Sequence, residues 1–296
     1  MSISDNLKQT FQHGNSVIKL IYINGAVFLT VNLFLLVFQL FNSPGDFLLD
    51  YLAVPASLSE LLRKAWTPLS YMFLHKDILH FFFNMLTLFW FGKIFLMYFT
   101  EKQLVGLYIF GGLFGAFIYI AAYNLFPYFA PALEHSILLG ASASIMAVIL
   151  ATAIQSPNLE LQVLLLGNVK LKYIAAFFVL MSVFGITSDN GGGQLSHLGG
   201  ALAGYIFIVS LRQGRDLTKG ISRVIDSAFN IFGPRKLKVK PNPHRRKTPM
   251  NDAEFNVNKA RKMEDIDKIL DKIKTSGYES LTADEKKRLF EQRRKN

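Results

Sequence analysis

The chain has 296 residues, of which 51% are hydrophobic and only 18% charged, and it carries a formal net charge of +11. The apolar residues come in long blocks, a profile that excludes an ordinary water-soluble domain and points to a membrane protein. Cysteine is absent, which excludes a disulfide framework, a zinc–thiolate centre and a cysteine nucleophile.

Residues 1–16 read as a short polar N-terminal segment. The apolar block from Val17 to Phe41 is longer than the ~7–15 residues of a signal-peptide core and has no small-residue cleavage site behind it, so it reads as an uncleaved first span. Asn42 to Ser70 is mixed, with Pro44-Gly45, Pro55 and Pro68 and an amphipathic stretch through Leu58, Leu61 and Leu62. That suits an interfacial loop. A second span is expected from Ile78 to Phe99 with Asp77 as its N-cap. The third runs from Leu104 to Leu125 and the fourth from Ser136 to Ile154. Pro157 breaks the chain, and Val163 to Leu166 reads as an interfacial piece. The fifth span covers Lys172 to Ile186, Thr187 to Gly193 forms a flexible connector, and the sixth runs from Leu195 to Leu211. The fold expected over residues 17–211 is an all-α membrane bundle of six transmembrane helices.

The remainder is a cytoplasmic tail. Residues 212–232 predict a juxtamembrane amphipathic helix, with Leu217, Ile221, Val224, Ile225 and Phe229 at helical spacing and Arg215, Lys219 and Arg223 between them, suited to an anionic inner leaflet. Residues 233–250 form a basic linker rich in Pro, Lys and Arg. For these charges lipid headgroups are the nearer partner, and no nucleic acid is expected. Residues 251–296 predict a helical hairpin: Gly277 stops its first helix, Thr282 and Glu285 form a capping box for the second, and Ile266, Ile269, Leu270, Ile273, Leu289 and Phe290 close it. Its small core calls for the membrane or a cytoplasmic protein partner.

Charge chooses the side. From Arg212 onward there are 23 Lys and Arg against 12 Asp and Glu, so residues 1–211 hold 9 of each and the whole net charge lies in the tail. Lys93, Lys102, Lys170 and Lys172 flank the ends assigned to the tail's side, whereas the third-to-fourth and fifth-to-sixth connectors carry no Lys or Arg. By the positive-inside rule both termini are cytoplasmic, and a bacterial plasma membrane is the expected location.

Polar groups set into the apolar spans carry the chemistry. His80 and Asn84 lie four apart, on one face of the second span. Ser142 sits in the outer half of the fourth span, within Gly140-Ala141-Ser142-Ala143-Ser144. His197 stands near the outer start of the sixth, where it shares a face with Gly200 and Gly204. Small faces of this kind allow helices to approach closer than the usual ~8–10 Å, which a short serine side chain needs to reach an imidazole. Taken singly, each residue has a plainer reading. Ser142 fits a packing residue, and His80 with Asn84 an interhelical hydrogen-bonding pair. His75 reads as a structural residue bonding loop backbone, and Trp66 as an interfacial anchor. A metal centre built from His75, His80 and His197 would lack any Asp, Glu or Cys partner in the bundle except Asp77. No metal or cofactor is expected.

Taken in order, the chain resembles the rhomboid intramembrane serine proteases. The resemblance covers residues 15–211 and rests on Trp66 followed by Phe73-Leu74-His75, then His80-x-x-x-Asn84-Met85, Gly140-x-Ser142, and His197-x-x-Gly200-x-x-x-Gly204. It implies that Ser142 is a nucleophile and His197 its general base, a dyad without a carboxylate. It further implies an oxyanion hole made by His80, Asn84 and the Ser142 backbone N–H, and transmembrane proteins as substrates cut near the outer face. The chain departs from the family pattern in three places. Ala143 follows the serine where Gly is usual, Met146 stands where an aromatic commonly stacks on the histidine, and Thr67 follows Trp66 in place of Arg. Two other readings remain at this stage. One is a catalytically weak or inactive rhomboid-like protein that binds membrane clients; the other is a transporter, although no internal repeat is evident.

Overall fold

The computed structural model describes residues 9–11, 13–43, 45, 47–163, 167–232 and 252–293. The chain divides into two compact units, Met1–Pro234 and Arg235–Asn296. The basic linker at 233–250 lies outside the described residues.

The first unit opens with α1, Ser16–Leu40, whose N-cap Asn15 accepts a hydrogen bond from the Ile18 N–H. α2 (Phe47–Leu52), β1 (Val54–Pro55), α3 (Leu58–Arg63), α4 (Thr67–Ser70) and a 3₁₀ turn at Tyr71–Phe73 form the loop that follows. The loop is folded back on itself by side-chain donors reaching two adjacent carbonyls. Trp66 Nε1 donates to Tyr51 O at 2.9 Å, and Ser70 Oγ donates to Leu52 O at 2.6 Å. Thr67, fully buried, donates locally to Lys64 O. The loop is therefore anchored without the arginine usual beside Trp66.

α5 spans Ile78–Phe95, capped by the Asp77 carboxylate on the Leu79 N–H. It stops four residues short of the expected Phe99. α6 covers Glu101–Leu125 and begins three residues early, because Thr100 and Gln103 form a reciprocal capping box. The expected fourth span starts late. Ser136 to Ala141 is not helical; Ile137–Leu138 form β2, antiparallel to β1 with Val54 opposite Leu138 and Pro55 opposite Ile137. α7 then runs Ser142–Gln155, so Ser142 is the first residue of a helix rather than a mid-helix position.

β3 (Glu160–Val163) and β4 (Gly167–Lys170) pair antiparallel; residues 164–166, most of the expected interfacial piece, lie outside the described residues. α8 is Leu171–Phe184. α9, Gly191–Arg212, takes in Gly191-Gly192-Gly193 as its first turn, which leaves a connector shorter than expected.

Among the described residues, α1, α5, α6 and α9 are long and apolar enough to cross a membrane by length and composition. α7 and α8 are apolar but have 14 residues each, about 21 Å at ~1.5 Å per residue, against a hydrocarbon thickness of ~30 Å.

The core lies where α6, α7 and α9 meet. Gly200 and Gly204 face the backbone of Ala143 and Ala147 so closely that a Cβ at either would collide with those carbonyls. One buried polar chain links three elements of this unit. Asn24 on α1 donates to Tyr108 OH at 3.2 Å, and Tyr108 donates to Met72 O at 2.9 Å, which ties α1 and α6 to the turn before α5.

α10, Thr218–Phe232, lies within residues 212–232, where a helix is expected from the sequence. It docks on the start of α6. Thr218 fills the notch at Gly106, and Lys102 pairs with Asp226 at 2.6 Å. Side chains beyond residue 227 of this helix, Phe229 included, lie outside the described residues.

In the second unit α11 (Asp252–Ser276) ends at Gly277, which adopts φ 79°, a conformation that favours glycine. α12 is Ala283–Arg293. Thr282 N–H donates to Glu285 Oε2 at 2.8 Å and Glu285 N–H to Thr282 Oγ1 at 3.3 Å, while Lys272 Nζ sits 3.0 Å from both Glu285 oxygens. Ile269 and Leu281 are buried, whereas Leu270, expected inside, is exposed. Phe290 lies outside the described side chains.

Candidate functional site

The site begins with a turn. β2 ends at Leu138, and the chain is held by Gly140 N–H donating to Tyr71 O at 3.0 Å. Gly140 has φ 121°, which a side chain tolerates poorly, and a Cβ there would also sit 3.2 Å from His80 Cε1. This turn delivers Ser142 to the first position of α7, where its N–H has no intrahelical acceptor.

α9 supplies the second group. With no side chain at Gly200 or Gly204, α9 lies directly on the backbone of α7 and brings His197 to Ser142. His197 Nε2 is 2.7 Å from Ser142 Oγ, across 55 residues of sequence. The other ring nitrogen, Nδ1, lies 3.4 Å from the hydroxyl of Ser182 on α8, and that hydroxyl donates to Phe178 O at 2.9 Å. Ser182 is 2% exposed. Sequence reading passed over it, since a serine in an apolar helix has no distinguishing neighbour. The available signal was its helix, which adjoins the one carrying His197.

α5 closes the other side. His80 packs on Gly140, and Asn84 lies one turn further along the same face. Asn84 is 7% exposed, and its Nδ2 has no hydrogen-bond partner among the described residues. Ser142, His197, His80, Asn84, Met146 and Phe178 line one cavity of about 170 Å³. Met146 is buried in its wall.

The other residues singled out from sequence fall outside this cavity. His75, wholly buried in the loop before α5, accepts from the Ala141 N–H at 3.5 Å, and its ring meets His80 edge-on at 5.6 Å. Burial, and secondarily the neighbouring His80, lowers its pKa to about 4, so it is neutral at physiological pH. His75 thus stands behind the turn. Trp66 stays in the first loop, its ring 4.7 Å from that of Tyr51. Among the described residues no three His, Cys, Asp or Glu side chains gather at metal-binding separation.

A rhomboid domain model matches residues 62–214, slightly more than half of the chain and the whole of this site. The chain belongs to the rhomboid family, whose members are intramembrane proteases and related proteins, and it is an integral membrane protein. A second model, a family of unknown function (DUF6576), matches residues 251–294, the helical hairpin. No curated protein matches the chain at significant similarity.

Proposed function

We propose that the protein is an intramembrane serine endopeptidase in which Ser142 is the nucleophile and His197 its general base. The observation that carries this reading is the 2.7 Å separation of Ser142 Oγ and His197 Nε2 at the wall of a cavity. A serine hydroxyl is a poor nucleophile until a base within about 2.6–3.2 Å takes its proton. His197 takes that proton at Nε2 as Oγ attacks the scissile carbonyl, and returns it to the leaving amine. Water then hydrolyses the ester on Ser142 by the same exchange.

The tetrahedral intermediate carries an oxyanion that hydrocarbon cannot solvate. Its donors are the Ser142 N–H at the start of α7, the unpartnered Asn84 Nδ2 and the His80 ring, which lie around the same cavity.

In this reading the six apolar helices all cross the bilayer, with both termini cytoplasmic. The non-helical stretch from Ser136 to Ala141 adds the length that α7 lacks; its strand Ile137–Leu138 is hydrogen-bonded to β1, and Leu138, Gly140 and Ala141 are buried in protein, which makes irregular backbone acceptable at that depth. α10 lies at the anionic inner leaflet. Substrates are transmembrane proteins cut near the outer face. Because a helix hides its carbonyls, the preferred segment unwinds locally, with a small residue before the cut and Gly or Pro nearby.

The test is cleavage of a transmembrane reporter by the purified full-length chain, with Ser142→Ala and His197→Ala beside it. Loss of cleavage in both, with native labelling by a serine-directed fluorophosphonate, is the expected result. Cleavage retained in either variant overturns the assignment, and an unlabelled, inactive native protein would indicate a client-binding relative.

A further inference from the structure

We propose that Ser182 is a positioning residue that fixes the tautomer of His197, completing a hydrogen-bonded chain Phe178–Ser182–His197–Ser142 across three helices. The inference rests on the dyad proposed above and goes beyond it, since that dyad was read as having no third member.

The direction of the chain follows from its far end. The Phe178 carbonyl can only accept, and Ser182 Oγ lies 2.9 Å from it in donating geometry. A hydroxyl has one hydrogen. Once it is given to Phe178, Ser182 meets His197 with lone pairs alone, so at 3.4 Å it can only accept from Nδ1–H. A neutral imidazole with its proton on Nδ1 leaves Nε2 unprotonated. That nitrogen faces Ser142 Oγ at 2.7 Å as an acceptor, the state a general base requires. In the opposite tautomer Nε2–H would point at Ser142 and could not take its proton. Among the described residues these two hydroxyls are the only hydrogen-bond partners of the ring.

Ser182 is 2% exposed, so the group that meets Nδ1 is a hydroxyl held inside the bundle. Met146, where the family commonly has an aromatic against this ring, offers a thioether with no strong acceptor. Ser182 supplies the fixed polar contact that orients the imidazole. During turnover the Ser142 proton moves to Nε2, and the Nδ1 proton stays bonded to Ser182 throughout.

The experiment compares native protein, Ser182→Ala, Ser182→Thr and Ser142→Ala, all full-length and reconstituted in bilayers, on one transmembrane reporter. Ser182→Ala is expected to lower kcat roughly tenfold or more with KM little changed, as for a lost hydrogen bond between part-buried groups. Ser182→Thr keeps a hydroxyl able to bond the same carbonyl and is expected to restore most of the rate. Nitrogen-15 spectra of labelled histidine should show His197 protonated on Nδ1 in the native chain and a mixture of tautomers in Ser182→Ala. If Ser182→Ala does not fold, the native spectrum decides alone, and a proton on Nε2 overturns the proposal. Native kcat in a folded Ser182→Ala, with Ser142→Ala inactive, also overturns it while leaving the dyad standing. Turnover by Ser142→Ala removes the dyad itself.

Discussion

Gly200→Ala tests whether the α7–α9 contact sets the geometry of the site. The added Cβ would lie 2.8 Å from the Ala143 carbonyl carbon and 3.0 Å from its Cα, and closer still to the carbonyl oxygen. Ordinary carbon contacts need about 3.5–4.0 Å, so the two helices must part locally by most of an ångström. The atoms struck are backbone and cannot rotate away. Gly200 is three residues from His197, and Ala143 follows Ser142, so the displacement falls on the reacting pair. A separation of 2.7 Å lengthened by that amount leaves the ~2.6–3.2 Å window for proton transfer, and a misplacement of about 1 Å commonly costs about 10²-fold in rate. Overpacking costs about 1–3 kcal/mol. The expected outcome is a loss of about 10²-fold in cleavage of a transmembrane reporter, with a lowered but cooperative melting transition. Gly220→Ala is the control, since nothing lies within 4 Å of its Cβ position. Native rate and native melting for Gly200→Ala would refute the claim that this glycine sets the Ser142–His197 distance.

Asn84→Ala is expected to lower kcat about 10²-fold with unchanged melting, read from the same reporter assay; an unaltered rate would assign Asn84 to packing. Gly140→Ala should lose activity and about 1–2 kcal/mol of stability, because φ 121° is strained for alanine and its Cβ presses on His80; thermal unfolding measures the second part. In the C-terminal hairpin, the Thr282 N–H and Lys272 beside Glu285 hold its pKa at about 2, below the ordinary 4.5. A depressed carboxylate pKa stabilises fully above the ordinary value and fades as pH falls toward the folded one. Protection factors for amide exchange at Thr282 and Glu285, taken relative to the intrinsic rate at each pH, should therefore fall between about pH 4.5 and pH 2, and Glu285→Gln should remove that dependence. For α10, Gly106→Ala should expose residues 218–227 to protease far more than Asp226→Asn, since the former drives a Cβ into Thr218 whereas the Lys102–Asp226 pair is solvent-exposed and worth about 1 kcal/mol or less.

The sequence announced the helices wherever apolar length and a cap coincided. Asp77 and the Thr282–Glu285 pair were readable because capping is local chemistry that depends on three or four adjacent residues. The start of α7 was not readable, since Ile137 and Leu138 are as apolar as any helical residue, and their extended form depends on Val54 and Pro55, more than eighty residues away. The β3–β4 hairpin left a weaker mark, the alternation of Glu160, Leu161, Gln162 and Val163 followed by Gly167-Asn168, submerged in an apolar run. Ser142, His197, His80 and Asn84 stood out because polar groups are costly in hydrocarbon. Ser182 escaped notice because its hydroxyl bonds the carbonyl one turn back, which makes a lone serine inexpensive in any apolar helix.

The late start of α7 has an electrostatic consequence. Aligned peptide dipoles place roughly half a positive charge at a helix's beginning, and here that beginning is the residue that would bear the attacking oxygen. A lysine or arginine doing the same duty would need its own water shell stripped at that depth and would be charged even when the site is idle. Peptide dipoles impose neither demand. By shortening a rod instead of importing an ion, the chain keeps a resting interior that lipid tolerates and a field that is felt only when an anion forms.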